Sequence, residues 1–199
     1  PFEPTNAQKR AVSEAIGDMK SKKPMNRLLQ GDVGSGKTAV AAAIMYNAVK
    51  NGFQAALMAP TEVLANQHFK TLCAFFGEDI NIQLLTGSVT AKNKRIIREM
   101  LQSGECDIVV GTHAVIQNDV EFNKLGLVIT DEQHRFGVGQ RAALSGKGNN
   151  PHTLVMSATP IPRTLAMMIY GDLDISVLDE LPKGRQPIKT YCVPTSYHE

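Results

Sequence analysis

Two stretches of this 199-residue chain carry side chains suited to work on phosphate. The first runs Gly31-Asp32-Val33-Gly34-Ser35-Gly36-Lys37-Thr38, the spacing G-x-x-x-x-G-K-T. Gly31, Gly34 and Gly36 let the backbone approach a phosphate chain with no Cβ in the way. The loop's N–H groups, those of Asp32, Val33 and Ser35 included, then form an anion-binding nest, and the helix that follows adds its positive end. Lys37 supplies a point charge for the β- and γ-phosphates, and Thr38 offers a hydroxyl to Mg²⁺. The apolar Leu28-Leu29 precedes the loop and an Ala-rich helical run, Ala39 to Val49, follows it. That setting favours a site for a nucleoside triphosphate such as ATP over a flexible glycine-rich turn.

A phosphate loop alone fits a kinase, a switch or a motor. The second stretch narrows the choice. Leu125 to Thr130 is an apolar strand that runs straight into Asp131-Glu132-Gln133-His134. Adjacent carboxylates at the end of a buried strand lie on the ligand edge of the sheet, beside the phosphate loop. There Asp131 can share the Mg²⁺ shell with Thr38, and Glu132 can orient and deprotonate an attacking water. His134 either packs locally or bridges to Ser157-Ala158-Thr159 at the end of the next strand, and the residues leave both readings open. Thr130 is expected to be a core hydroxyl bonded within its strand.

Three further strand ends carry small polar residues: Pro60-Thr61, Thr86-Gly87-Ser88 and Gly111-Thr112-His113. Each can contact a phosphodiester, although singly each also reads as a helix N-cap. Three together, in a domain that hydrolyses a nucleotide, point to a polynucleotide track. The basic run Lys92, Lys94, Arg95 and Arg98 reads as a solvated helix face.

These residues need elements to hold them. Thr5 is a plausible N-cap for a helix through Ala11, Val12, Ala15, Ile16 and Met19. Upstream of the loop, Phe2 and Gln8 can stack on and hydrogen-bond a base. Read locally they are a helix-entry staple and a solvent-facing glutamine. Strands are expected at Gln54–Ala59, Asn81–Leu85, Asp107–Val110, Leu125–Thr130 and Thr153–Met156. Helices are expected at Glu62–Phe76, Thr90–Gln102, Thr112–Gln117, Gly139–Leu144 and Pro162–Tyr170. Short continuous apolar strands alternating with helices predict a doubly wound, mainly parallel α/β sheet with helices on both faces. From Asp179 the texture changes to an extended linker, with a domain boundary near Leu181 to Pro187 and a further strand at Ile188 to Val193. The domain thus covers 1–181, and 182–199 begins something else.

Composition is that of an ordinary globular chain, 43% hydrophobic and 20% charged, with no Trp. The net charge of +2 does not announce nucleic acid, so any such binding must come from local geometry. No apolar run is long enough to span a bilayer. Cys73, Cys106 and Cys192 are scattered and lack metal-ligand spacing, which suits buried thiols in a reducing cytosol. A start at Pro1 rather than Met reads as a fragment of a longer protein.

In order and spacing these motifs resemble the first motor lobe, of RecA-like fold, of superfamily 2 helicases. Met25 to Thr38, Met58 to Ala65, Asp131 to Val138 and Ser157 to Thr164 are similar to the RecG branch of DNA helicases. The transcription-repair coupling factor shares the Arg135-Phe136-Gly137-Val138 and Thr159 to Thr164 stretches, but typically has Glu where Gln133 stands here. The resemblance implies that Phe2 stacks on adenine and Gln8 reads it. It implies that Gly34 to Thr38 bind phosphates and Mg²⁺, and that Asp131 and Glu132 serve metal and water. Gln133 and His134 would face a second lobe, and Ser157, Ala158 and Thr159 would couple hydrolysis to movement. Pro60, Thr61, Thr86, Gly87, Gly111, Thr112 and His113 would fall along the DNA backbone. It also implies a bacterial cytoplasmic enzyme acting on branched DNA in recombination and repair. Its wedge domain would lie N-terminal and its second motor lobe C-terminal to this stretch, leaving the lobe alone nearly inactive.

Overall fold

The computed structural model describes residues 3–117, 119–131, 150–159 and 173–180. Thr5 starts the first helix, α1 (Asn6–Met19), through a capping box: its hydroxyl accepts from Gln8 N, and the Gln8 side chain accepts from Thr5 N. The chain then alternates: β1 (Asn26–Gly31), α2 (Lys37–Lys50), β2 (Gln54–Met58), α3 (Glu62–Phe76), β3 (Ile82–Leu85), α4 (Ala91–Ser103) and β4 (Ile108–Gly111). A 3-10 turn at His113–Ile116 leads on to β5 (Leu125–Asp131), β6 (His152–Ser157) and β7 (Asp174–Leu178).

The seven strands form one sheet in the order β3-β4-β2-β5-β6-β1-β7, with every pairing parallel. β2 and β4 are buried along their whole length, as strands covered on both faces must be. One face packs Leu29, Leu57, Ile129 and Met156 against α1, α2 and α3. The other packs Ala56, Met58, Val109 and Val128 against α4 and the 3-10 turn. The doubly wound α/β sheet read from the sequence is the observed fold.

Register brings the carboxyl ends of the strands into line. Leu85 pairs with Gly111, Gly111 with Met58, Met58 with Thr130, Asp131 with Met156, and Ser157 with Gln30. The strand ends singled out for chemistry, so far as they are described, therefore share one edge of the sheet.

The sequence patterns place no element at Asp174–Leu178, which forms β7 on β1. Its signal is weak because it is an edge strand with an inward-facing polar residue. Ser176 is buried, accepts from Arg27 and donates to Glu14. Arg27, itself buried in β1, also pairs with Asp18 and Glu14 of α1, so a polar core ties α1, β1 and β7 together. Thr130 is buried as expected, but its hydroxyl has no hydrogen-bond partner among the described residues. The helices read at Gly139–Leu144 and Pro162–Tyr170, the linker from Leu181 and the strand at Ile188–Val193 lie outside the described residues. Among the described residues no helix is long and apolar enough to cross a membrane. Cys106 is buried, its thiol pushed up to about 12 chiefly by desolvation, whereas Cys73 is half-buried.

Candidate active site

The phosphate loop leaves β1 at Gly31 and enters α2 at Lys37. Its shape depends on glycine at three places, the first being Gly34 at φ +79°. Gly36 has φ +88°, and a Cβ there would collide with Gln8 Nε2. A Cβ on Gly31 would come within 2.6 Å of Ser35 Oγ and 2.9 Å of Leu178 Cβ. The turn is closed by Ser35 N donating to Asp32 O at 3.1 Å. Lys37 bends back over it, its ammonium donating to Gly31 O at 2.7 Å and Asp32 O at 2.9 Å. Asp32, Val33 and Gly34 are exposed at the rim, and Thr38 sits half-buried in the first turn of α2. Ser35 Oγ is buried with no hydrogen-bond partner among the described residues. A glycine-lined turn at a helix N-terminus, spanned by a cation and holding an unsatisfied hydroxyl, fits a phosphate chain. The Thr38 hydroxyl and the Asp131 carboxylate are the hard oxygen donors that magnesium takes.

Asp131 ends β5 on the face that carries α1 to α3. Only β6 separates β5 from β1, so at two strand spacings Asp131 and the start of the loop lie roughly 10 Å apart. Asp131 is 9% exposed, and its Oδ2 lies 2.6 Å from Nε2 of His68, which is 7% exposed and belongs to α3. A carboxylate can only accept, so Nε2 carries the hydrogen. On the strand between, Ser157 is buried and its hydroxyl closes a local turn, donating to Thr159 O at 3.2 Å and accepting from Thr159 N at 3.2 Å. Ala158 is half-buried and Thr159 exposed at the edge. Glu132, Gln133, His134 and Phe2 lie outside the described residues, and with them the partner expected for the Ser157–Thr159 turn.

Gln8 is not the solvent-facing glutamine of its local reading. It is 4% exposed, and Nε2 donates to Ser35 O at 2.9 Å, so α1 is stapled to the phosphate loop itself. No local pattern could reveal this bond, since 27 residues separate the two groups.

The remaining strand ends lie further along the same edge. Thr61 is exposed and caps α3 by accepting from Leu64 N at 3.3 Å, next to a half-buried Pro60. Thr86 is fully buried and its hydroxyl meets Ser88 Oγ, so the loop presents Gly87 and Ser88 to solvent rather than the threonine. Gly111 is buried at the end of β4, Thr112 is half-buried and His113 exposed. The basic run on α4 is largely engaged: Lys94 donates to Gly87 O, Arg95 pairs with Glu99, and Arg98 with Asp119.

Sequence reasoning missed several residues. His68 carried no local signal, being one polar residue on an amphipathic helix. Glu62 accepts from Ser88 N at 3.1 Å and so ties the start of α3 to the loop after β3. Beyond β7, Glu180 accepts from Ala7 N at 3.3 Å, and Asp179 pairs with Arg10, whose hydrogen bond holds that carboxyl below its usual range. The end of β7 is thereby fixed to the first turns of α1.

The parallel sheet and the loop at its carboxyl edge define a nucleotide-binding α/β domain of the phosphate-loop class. The family model for DEAD/DEAH box helicases matches residues 5–168, and the chain belongs to that family. It is 57% identical over 194 residues to the ATP-dependent DNA helicase RecG of Bacillus subtilis, covering 97% of this chain and 28% of that protein. Against RecG of Streptococcus pneumoniae it is 56% identical over 190 residues, covering 96% of this chain and 28% of the relative. A solved structure of RecG bound to a three-way DNA junction superimposes with a TM-score of 0.81 at 50% identity, covering 94% of this chain and 25% of that one. The helicase domain of Pyrococcus furiosus Hef, at 20% identity and a TM-score of 0.66 over 89% of this chain and 38% of that one, shares the fold alone. The chain therefore spans about 28% of the length of the curated relatives it matches.

Proposed function

We propose that this chain is the ATP-binding and ATP-hydrolysing lobe of a RecG-like DNA helicase that remodels branched DNA in recombination and repair. The observation that carries the reading is the glycine turn at the start of α2, with Gly36 at positive φ and Lys37 lying across it, within a chain so similar to RecG. The likeness to a RecG bound to a three-way junction supports branched DNA as the partner. In this reading the lobe covers 1–181, and 182–199 leads to a second motor lobe. A wedge domain would belong to the same protein, and its setting would be the bacterial cytoplasm.

For the described residues the roles follow from placement, and for Glu132, Gln133, His134 and Phe2 from the family's motifs. Loop N–H groups and the positive end of α2 hold the phosphates, while Lys37 turns from the loop carbonyls to the β- and γ-oxygens. Thr38 and Asp131 would hold Mg²⁺, which would withdraw charge from the phosphates. Glu132 takes the proton of the attacking water, Gln133 and His134 face the second lobe, and Phe2 and Gln8 hold the adenine. To read the base, Gln8 Nε2 must exchange Ser35 O for the ligand. Thr61, Gly87, Ser88 and His113 are the exposed groups of the DNA edge, and Thr86 and Gly111 shape it from beneath.

The test is Mg-ATP binding and turnover by the chain, with and without forked DNA, beside Lys37→Ala. Tight binding with turnover near background supports a lobe that needs a second lobe to complete its site. Lys37→Ala should weaken binding ~10-fold or more, as loss of a charge-assisted contact does. Brisk turnover indifferent to DNA would favour a self-contained nucleotidase and sink the helicase reading.

A further inference from the structure

His68 is the polar residue of this site to which the reading above gives no role. It lies on the second turn of α3, seven residues beyond the N-cap Thr61, with its ring turned into the sheet. Its Nε2 reaches Asp131 Oδ2 at 2.6 Å across 63 residues of sequence. Among the described residues no other side chain or backbone group bonds this carboxylate. Both partners are almost wholly buried, at 7% and 9% exposure.

A buried polar pair of this kind is a weak source of stability. Apolar residues of similar volume commonly serve as well or better, because both groups must be stripped of water. What the pair does supply is a fixed carboxylate. With Oδ2 tied to the imidazole, the Asp131 side chain is held in one orientation and Oδ1 is left for another ligand. Metal sites use such outer partners to orient the oxygen that binds the ion, and losing one typically weakens the metal about 10- to 100-fold. The partner here comes from α3, an element outside both phosphate-binding motifs.

We infer that His68 is a positioning residue that holds the Asp131 carboxylate in the orientation that binds the magnesium of the nucleotide. The inference rests on the nucleotide-site reading above. It assigns to α3 a part in the metal's affinity, with no contact between His68 and the metal or the nucleotide.

The test compares the chain with His68→Gln and His68→Asn. The Gln amide reaches as far as Nε2 and can donate to Asp131, whereas the Asn amide stops near the position of Nδ1 and falls short. Asn is smaller than His and leaves a buried carboxylate without its partner, so the metal-free nucleotide affinity of each variant serves as the control for folding. A fluorescent ATP analogue is titrated onto each protein in EDTA and then at increasing MgCl₂, and bound Mn²⁺ is counted by its electron paramagnetic resonance signal. For His68→Asn the Mg²⁺ concentration at half-saturation should rise about tenfold, with metal-free nucleotide affinity unchanged within about twofold. His68→Gln should recover most of the loss. Equal Mg²⁺ dependence in all three proteins would overturn the inference. So would an equal loss of nucleotide affinity with and without metal, which would mark His68 as a packing residue. A wild-type chain whose nucleotide binding ignores Mg²⁺ would bring down the nucleotide-site reading, and the inference with it.

Discussion

The carboxyl edge of the sheet has two halves built on different principles. At the ends of β1, β6 and β5 three contacts tie buried polar groups in place: Gln8 to Ser35, Ser157 to Thr159, His68 to Asp131. At the ends of β2, β3 and β4 the polar groups that reach solvent are helix caps and loop backbone, such as Thr61, Gly87 and Ser88. The first half is a preorganised pocket, in which few groups can move without breaking a bond. The second is a rail of exposed groups, such as the Thr61 hydroxyl, which accepts from Leu64 N and keeps its own hydrogen to donate to a long ligand. α3 belongs to both, with its N-cap on the rail and His68 in the pocket.

The sharpest way to break this contrast is to disturb the pocket at its tightest point. Gly36→Ala places a Cβ at φ +88° and against Gln8 Nε2. The left-handed conformation alone costs an L-residue roughly 1–2 kcal/mol, and the collision adds the loss of the Gln8–Ser35 bond. Urea unfolding should show a destabilisation of about 2 kcal/mol, and a fluorescent ATP analogue should bind more than ~10-fold more weakly. A variant as stable as wild type would mean that the loop is looser than its geometry implies.

That contrast also explains what could be read from the chain alone. The turn Gly31–Thr38 between β1 and α2 and the carboxylate that ends β5 could be placed from the sequence because their positions follow from local spacing. The doubly wound sheet was legible because β2, β4 and β5 are continuous apolar runs, and their ends were read within a residue or so. β7 was not, because Ser176 is polar for a reason that lies on other elements, in Arg27 and Glu14. His68 and the staple from Gln8 to the loop were hidden for the same reason: each is a pairing between distant segments, and no local pattern encodes its partner. Thr86 was read as a surface contact although it is buried, because a hydroxyl turned back onto its own loop looks the same in sequence as one turned outward.

On the rail, the caps provide a matched pair. Thr61 caps α3 and Thr90 caps α4 through the same hydrogen bond, each accepting from the backbone N–H three residues on at 3.3 Å. Replacing either by Ala should cost about 1 kcal/mol of stability. Only Thr61→Ala should also weaken binding to forked DNA, by several-fold, since only Thr61 stands at the end of a central strand. Equal DNA affinity in the two variants would remove the rail from β2.

Thr130 inverts the sign. Its hydroxyl is buried without a partner among the described residues, one position before the carboxylate that the pocket uses. Thr130→Val keeps the shape and removes a desolvated polar atom, and should raise stability by about 1 kcal/mol. Nucleotide binding should stay unchanged, because the side chains of residues 130 and 131 point to opposite faces of the sheet. A loss of stability would show that the hydroxyl is satisfied in the folded chain.

The smallest effect concerns the opposite end of β6, remote from both halves. His152 Nδ1 accepts from Met25 N at 2.9 Å, which requires a ring nitrogen without a proton. Burial lowers the pKa of this imidazole from its ordinary 6.5, and the charge of Asp18 opposes the shift only in part. The folded chain then binds fewer protons at this site than the unfolded chain. Its contribution to stability is therefore complete above pH 6.5 and is lost as the pH falls through that value toward the lowered one. Urea midpoints measured from pH 8 down to about 5 should decline with this sign. In His152→Asn the decline should be shallower, since Oδ1 can accept the same N–H and does not titrate over that range. Because Met25 and His152 fix the start of β1 and β6 rather than their ends, nucleotide affinity should hold while stability falls. A parallel loss of both would mean that the pocket depends on the far end of its own strands, and the two halves of the edge would then differ less than their local bonding implies.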